Sequence, residues 1–124
     1  MDILLVEDNL LNQKVVVFNL KKYSYNVIAV TNGTDALEKI KQQTFDLVLM
    51  DIMLPEMNGY EITEAIRKYE EANGIENPVP IIAITANTLD NDREKCFKVG
   101  MNEYLSKPFT AAQLIEKIRI FIPE

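Results

Sequence analysis

Residues able to bind or transfer charge stand directly after short apolar runs. Glu7 and Asp8 follow Ile3-Leu4-Leu5-Val6, Asp51 follows Leu47-Val48-Leu49-Met50, Thr85 follows Ile81-Ile82-Ala83-Ile84, and Lys107 comes just after Glu103-Tyr104-Leu105. Carboxylates gathered at one place repel one another, and ionising all of them is costly unless a cation sits between them. A hard divalent ion, Mg²⁺ above all, suits such a site, with one or two carboxylates, a backbone carbonyl such as that of Met53, and water as ligands. A lysine and a hydroxyl beside that ion make the surroundings of a phosphoryl group, whose oxygens need cationic and hydrogen-bonding partners. Aspartate can itself be the nucleophile and form an acyl phosphate. Asp51, central in this set, is the expected acceptor.

Composition closes other routes. The chain of 124 residues has no His and one cysteine, Cys96. A Ser-His-Asp or Cys-His nucleophile, a His general base and a His/Cys zinc site are therefore impossible within it. With 48% apolar positions the chain can bury a self-sufficient core, and the expectation is one domain over residues 1–124. No apolar run is long enough to span a bilayer, and Met1-Asp2 lacks the basic flank of a signal peptide. A cytoplasmic place without membrane contact is expected. The net charge of −6 disfavours direct docking on nucleic acid.

These residues must be positioned by the elements around them. The apolar runs Ile3–Val6, Val27–Val30, Leu47–Met50 and Ile81–Ile84, with the shorter Glu103–Leu105, are continuous rather than alternating, as in strands of a parallel sheet covered on both faces. Between them lie segments with helical spacing: Leu11, Val15 and Phe18; Ala36, Leu37 and Ile40; Ile62, Ala65, Ile66 and Tyr69; Leu89, Cys96 and Phe97; Leu114, Ile118, Phe121 and Ile122. Asn32-Gly33, Asn58-Gly59, Asn73-Gly74 and Gly100 punctuate the junctions, and the stretch Glu70 to Pro80 reads as a loop. Five strands alternating with five helices make a doubly wound α/β fold with a parallel sheet. In such a sheet the loops after the carboxyl ends of the strands converge on one edge, where ligands bind. That edge collects Glu7, Asp8, Asp51, Thr85 and Lys107.

Taken singly, each has an ordinary reading. Asp8 or Asn9 can cap a helix, Thr85 can satisfy a strand end, and Lys107 can be a solvated lysine. Cys96 reads as core packing, and Lys21-Lys22 and Lys39 with Lys41 as solvated faces. Four strand ends supplying complementary groups to one edge are poorly explained by coincidence.

The motifs Ile3-Leu4-Leu5-Val6-Glu7-Asp8-Asn9, Leu47-Val48-Leu49-Met50-Asp51-Ile52-Met53-Leu54-Pro55-Glu56-Met57-Asn58-Gly59, Ile81-Ile82-Ala83-Ile84-Thr85-Ala86 and Tyr104-Leu105-Ser106-Lys107-Pro108-Phe109 together resemble a response-regulator receiver domain of two-component signalling. The likeness spans essentially the whole chain. It implies a flavodoxin-like sheet of order 2-1-3-4-5, Asp51 as acceptor of a phosphoryl group from a partner phosphohistidine, and Mg²⁺ held by Glu7, Asp8, Asp51 and the Met53 carbonyl. It implies that Thr85 and Lys107 meet the phosphoryl oxygens, that Tyr104 follows Thr85 as a switch, and that the Lys107–Pro108 bond is cis. The surface of the fourth helix, fifth strand and fifth helix is then the one that responds, and a phosphorylation-dependent homodimer is among the assemblies it allows. The phrases from Val6 to Gln13 and from Gly100 to Phe109 resemble receivers of hybrid sensor histidine kinases, and both a single-domain regulator and a part of a larger protein stay open.

The expected partner is a histidine kinase or histidine phosphotransfer protein, meeting Leu10, Leu11, Pro108 and Phe109, although Leu11 and Phe109 can equally pack inward. Such a domain assists only its own phosphorylation and dephosphorylation. The rival readings are a flavin-binding flavodoxin-like protein, in which Glu7-Asp8 would repel a phosphate, and an aspartyl-phosphate phosphatase, in which Met53 stands where the second Asp is wanted. A pseudo-receiver that binds partners without phosphorylation fits poorly with Asp51, Thr85 and Lys107 all in place.

Overall fold

Runs of Ile, Leu and Val too short for helices and apolar on both sides can be satisfied only by a sheet with covering layers on each face. The computed structural model, which describes residues 1–86 and 90–122, has that arrangement. The chain alternates β1 (Asp2–Val6), α1 (Leu10–Lys21), β2 (Asn26–Val30), α2 (Gly33–Gln42), β3 (Leu47–Asp51), α3 (Gly59–Ala72), β4 (Ile81–Thr85), α4 (Asp90–Val99), β5 (Glu103–Ser106) and α5 (Ala111–Phe121). The sheet runs β2-β1-β3-β4-β5, and every neighbouring pair is parallel. This is the expected flavodoxin-like order. β3 and β4 are buried along their whole length, whereas β2, at the edge, is mostly half-exposed.

The pleat divides the interior in two. Val48, Met50, Ile81 and Ala83 point into a layer with Ile62 and Ile66 of α3 and Cys96 of α4. Leu47, Leu49, Ile82 and Ile84 point the other way, onto Val16 and Leu20 of α1 and Leu114 and Ile118 of α5. Helix starts are fixed locally. Asn32, Asn58 and Thr110 each accept the N–H three residues on, and the N–H groups of Asn58 and Thr110 donate in return to the side chains of Glu61 and Gln113, which satisfies donors that a helix cannot pair internally.

Three sequence expectations need correction. In α1 the residues read as the inward stripe, Leu11, Val15 and Phe18, are 70%, 53% and 62% exposed, and Val16 and Leu20 pack inward instead. The segment carries apolar residues around most of its circumference, so spacing alone does not choose a face. In α4 Cys96 is buried but Phe97 is 42% exposed, with the Arg93 guanidinium 5.9 Å from its ring centre. Leu89, assigned to the same stripe, lies outside the described residues. Glu70, placed in a loop, belongs to α3 and is buried, because Arg67 and the Val79 N–H both bond its carboxylate.

Candidate functional site

The carboxyl ends of β1, β3, β4 and β5 bring the expected residues together. Glu7 leaves β1 with its N–H donated to the Val30 carbonyl at 3.0 Å, and its carboxylate accepts the Asn9 N–H at 3.3 Å. Asn9, not Asp8, caps α1 by accepting the Asn12 N–H at 3.0 Å. Asp8 is thereby not committed as a cap, and its side chain is exposed at the rim. Asp51 ends β3, 4% exposed, with Oδ1 accepting the Met53 N–H at 3.0 Å. Thr85 ends β4, 3% exposed. The Lys107 N–H donates to the Thr85 carbonyl at 2.8 Å, which ties the lysine backbone to the end of β4. The Lys107–Pro108 bond is cis, as expected.

From there Lys107 Nζ lies 3.3 Å from Asp51 Oδ2 and 3.4 Å from Glu7 Oε1. Partial burial pushes its ammonium down, but the charges of Asp51 and Glu7 and their hydrogen bonds outweigh that, so its pKa stands above the ordinary lysine value. One lysine thus faces two buried carboxylates. With Asp8 added, one oxygen from each of Glu7, Asp8 and Asp51 lies within 4.8 Å of the others. Three hard anionic donors with an excess of negative charge fit a hard divalent cation of the Mg²⁺ type, and no soft ligand is present among them.

Two residues support this edge in ways the sequence does not announce. A Cβ on Gly59 would lie 2.6 Å from the Asp51 carbonyl oxygen and 2.9 Å from Ile52 Cα, so only glycine lets the start of α3 press against the backbone that carries Asp51. Asn58-Gly59 had read only as punctuation. Gln13, in the first turns of α1, donates from Nε2 to the carbonyls of Glu7 at 2.7 Å and Val30 at 3.0 Å. The sequence places Gln13, with Asn9 and Asn12, only on the polar rim of the docking patch around Leu10 and Leu11.

Other expected residues stand apart. The Met53 side chain is 74% exposed, and only its backbone touches Asp51. Tyr104 is half-buried against the α3–α4 layer, with the Arg93 guanidinium 5.5 Å from its ring centre, rather than among the carboxylates. Leu10, Leu11 and Pro108 are exposed, while Phe109 packs partly against the α1–α5 layer. Beside Lys107, between α1 and α5, lies a cavity of about 540 Å³ whose lining includes Val15, Val16, Phe109, Ala111 and Leu114.

The chain is similar in sequence and in shape to known proteins. The hybrid signal transduction histidine kinase B of Dictyostelium discoideum is 43% identical over 120 residues, a match covering 91% of this chain but 6% of that protein. The chain therefore spans only a small part of this relative. The crystal structure of the receiver domain of a sensor histidine kinase from Pseudomonas aeruginosa, with a magnesium ion coordinated in its active-site cleft, is 43% identical. It superposes with a TM-score of 0.84 over 99% of this chain and 98% of that one. The receiver domain of Saccharomyces cerevisiae Ssk1, crystallised with the histidine phosphotransfer protein Ypd1, is 33% identical with a TM-score of 0.92, covering 98% of this chain and 88% of that one. The family model for the response regulator receiver domain matches residues 3–119, nearly all of the folded chain, and the protein belongs to that family.

Proposed function

We propose that residues 1–124 form one receiver domain that takes a phosphoryl group from a partner phosphohistidine onto Asp51 in a Mg²⁺-dependent step. The observation that carries this reading is the convergence of Lys107 Nζ on Asp51 and Glu7 at 3.3 and 3.4 Å, within reach of a third carboxylate and beside the buried Thr85 strand end. Glu7, Asp8, Asp51 and the Met53 carbonyl would hold the ion, which when bound would neutralise charge on the phosphoryl oxygens. The Asp51 carboxylate attacks phosphorus, the phosphorus–nitrogen bond of the donor breaks, and its electron pair stays with the imidazole. Lys107 and Thr85 hold the equatorial oxygens through charge and hydrogen bonding. The Met53 N–H on Asp51 Oδ1 fixes the carboxylate plane before attack.

A filled Asp51 draws the Thr85 hydroxyl toward it and lets Tyr104 turn into the space left, altering the α4–β5–α5 surface. That surface is then offered to a reader or to a second copy. The domain is a phosphoacceptor that assists its own loading and unloading, not a turnover enzyme, and its place is the cytoplasm, where kinases draw on ATP. Among the described residues no helix is long and apolar enough to cross a membrane. The relationship to hybrid kinases supports a receiver carried by a protein of that kind.

The donor, a helical bundle bearing the histidine, docks over α1 and the segment after Lys107. Leu10 and Leu11 are 63% and 70% exposed there, beside the apolar cavity between α1 and α5. A covered edge is needed because transfer requires the imidazole nearly in line with Asp51.

Intact-mass measurement after acetyl phosphate tests the acceptor. One adduct is expected, dependent on Mg²⁺ and lost in Asp51→Asn; an adduct that survives either chelator or Asp51→Asn rejects the assignment. In the same assay Leu10→Asp slows transfer from a cognate phosphohistidine protein while labelling by acetyl phosphate stays nearly unchanged; no loss with either donor removes this surface from the interface, and an equal loss with both means damage to the fold or to the Mg²⁺ site.

A further inference from the structure

We propose that Gln13 is the positioning residue for the acidic turn Glu7-Asp8, and that its side-chain amide sets the affinity of this edge for Mg²⁺ without touching the ion. The inference rests on the receiver reading above. Its origin is an arrangement of backbone groups. β1 ends at Val6 and α1 begins at Leu10, so the chain must part from the sheet ladder between them and still satisfy its peptide groups. The Glu7 N–H remains in the ladder, donating to the Val30 carbonyl at 3.0 Å. The Glu7 carbonyl does not. It accepts from Gln13 Nε2 at 2.7 Å, and the same nitrogen donates at 3.0 Å to the Val30 carbonyl. Both protons of one amide are used, and one side chain closes the ends of β1 and β2 together.

The consequence for the site is geometric. The Glu7 carbonyl and the Asp8 N–H belong to one planar unit. A donor held on that oxygen fixes the plane, and with it the direction in which Asp8 leaves the strand end. The ladder bond on the other side of Glu7 fixes the preceding plane, so the backbone that carries the Glu7 carboxylate is held from both sides. Glu7 and Asp8 are two of the three carboxylates that lie within 4.8 Å of one another. Metal sites depend on such outer bonds, whose loss weakens affinity about 10- to 100-fold. Gln13 suits the task because it stands one turn into α1, whose cap Asn9 adjoins the acidic pair. The acidic turn and the helix that leads the docking face are thereby fastened to each other.

The test uses Gln13→Met, which keeps the length and apolar stem and removes both donors, and Gln13→Asn, which keeps an amide one methylene short. Ile118→Val, in the α1–α5 core, serves as a control that loosens packing away from the edge. Mg²⁺ dissociation constants are measured by calorimetric titration, with urea unfolding and acetyl-phosphate labelling on the same proteins. Gln13→Met is expected to raise the Mg²⁺ dissociation constant about tenfold and to recover labelling when Mg²⁺ is made saturating. Gln13→Asn should fall between it and the parent, and it carries the test if Gln13→Met does not fold. Ile118→Val should leave the constant unchanged. A folded Gln13 variant that binds Mg²⁺ like the parent overturns the proposal, as does one whose labelling stays low at saturating Mg²⁺. A parent chain that neither binds Mg²⁺ nor labels on Asp51 overturns the receiver reading itself, and that result is visible before any Gln13 variant is made.

Discussion

Two buried ionic clusters sit at opposite ends of the sheet, and they are built to different rules. At the amino end of β4, Arg67 Nη1 meets Glu70 at 2.7 Å, and its other nitrogens reach the Gly100 carbonyl and Asn102 at 2.8 to 3.0 Å. The second Glu70 oxygen accepts the Val79 N–H at 2.8 Å, and Asn102 accepts the Ile81 N–H at 2.9 Å. One cation faces one anion, and each bond is short. At the carboxyl end, Lys107 divides itself between two carboxylates at 3.3 and 3.4 Å, with a third carboxylate at the rim. The first cluster is closed, joining α3 to the segments that open β4 and β5. The second keeps unmatched negative charge, which an arriving cation can relieve. A buried charge cluster marks a site when its charges fail to balance, not simply because charges are buried.

The largest test of this contrast breaks the closed cluster. Arg67→Met leaves Glu70 buried without its cation, and a loss of about 3 to 5 kcal/mol is expected in urea unfolding. If Mg²⁺ is bound with parental affinity by the variant that remains folded, the two clusters are independent, whereas a matching loss of affinity would mean that they act as one unit.

A smaller effect sharpens the other side. Because Mg²⁺ relieves repulsion only in the folded site, the parent should gain about 2.7 kcal/mol at a free Mg²⁺ concentration 100 times its dissociation constant. Asp8→Asn should lose most of that gain. Equal stabilisation of parent and Asp8→Asn by Mg²⁺ would place the ion elsewhere.

The smallest effect is one of pH. Lys107 has its pKa raised in the folded protein, so the stability it contributes is fully present below the ordinary lysine value of about 10.5 and is lost as pH rises through the folded value. Unfolding compared between the parent and Lys107→Met should therefore show the parent losing ground only above about pH 10.5. A difference that grows on acidification instead would contradict the sign of the lysine's coupling to Asp51 and Glu7.

Much of this was legible in the sequence because a parallel sheet writes itself plainly. Continuous apolar runs located four strands and the shorter Glu103-Tyr104-Leu105 the fifth, and the residues just beyond four of them located the site, since strand ends in this fold share an edge. Helix faces were harder to read. In α1, Leu11, Val15 and Phe18 fit helical spacing as well as Val16 and Leu20 do, and only the sheet decides which set it covers. Glu70 looked like any surface glutamate, because nothing local reveals that Arg67 and the Val79 N–H await it across a turn and a loop. Gln13 and Gly59 escaped for a related reason. Their tasks concern backbone atoms of distant segments, and backbone atoms have no letter in a sequence.

The pleat that splits the interior has one more consequence. Asp51 has the strand parity of Leu47 and Leu49, which face α1 and α5, whereas Thr85 has the parity of Ile81 and Ala83, which face α3 and α4. The chemical edge thus straddles both sides of the sheet. On the proposed reading, a donor seated over α1 and beside α5 would leave α4, on the other face of the sheet, uncovered. The part of the responding surface that α4 forms would then stay open while the donor is in place, whereas the part that α5 forms would border on it.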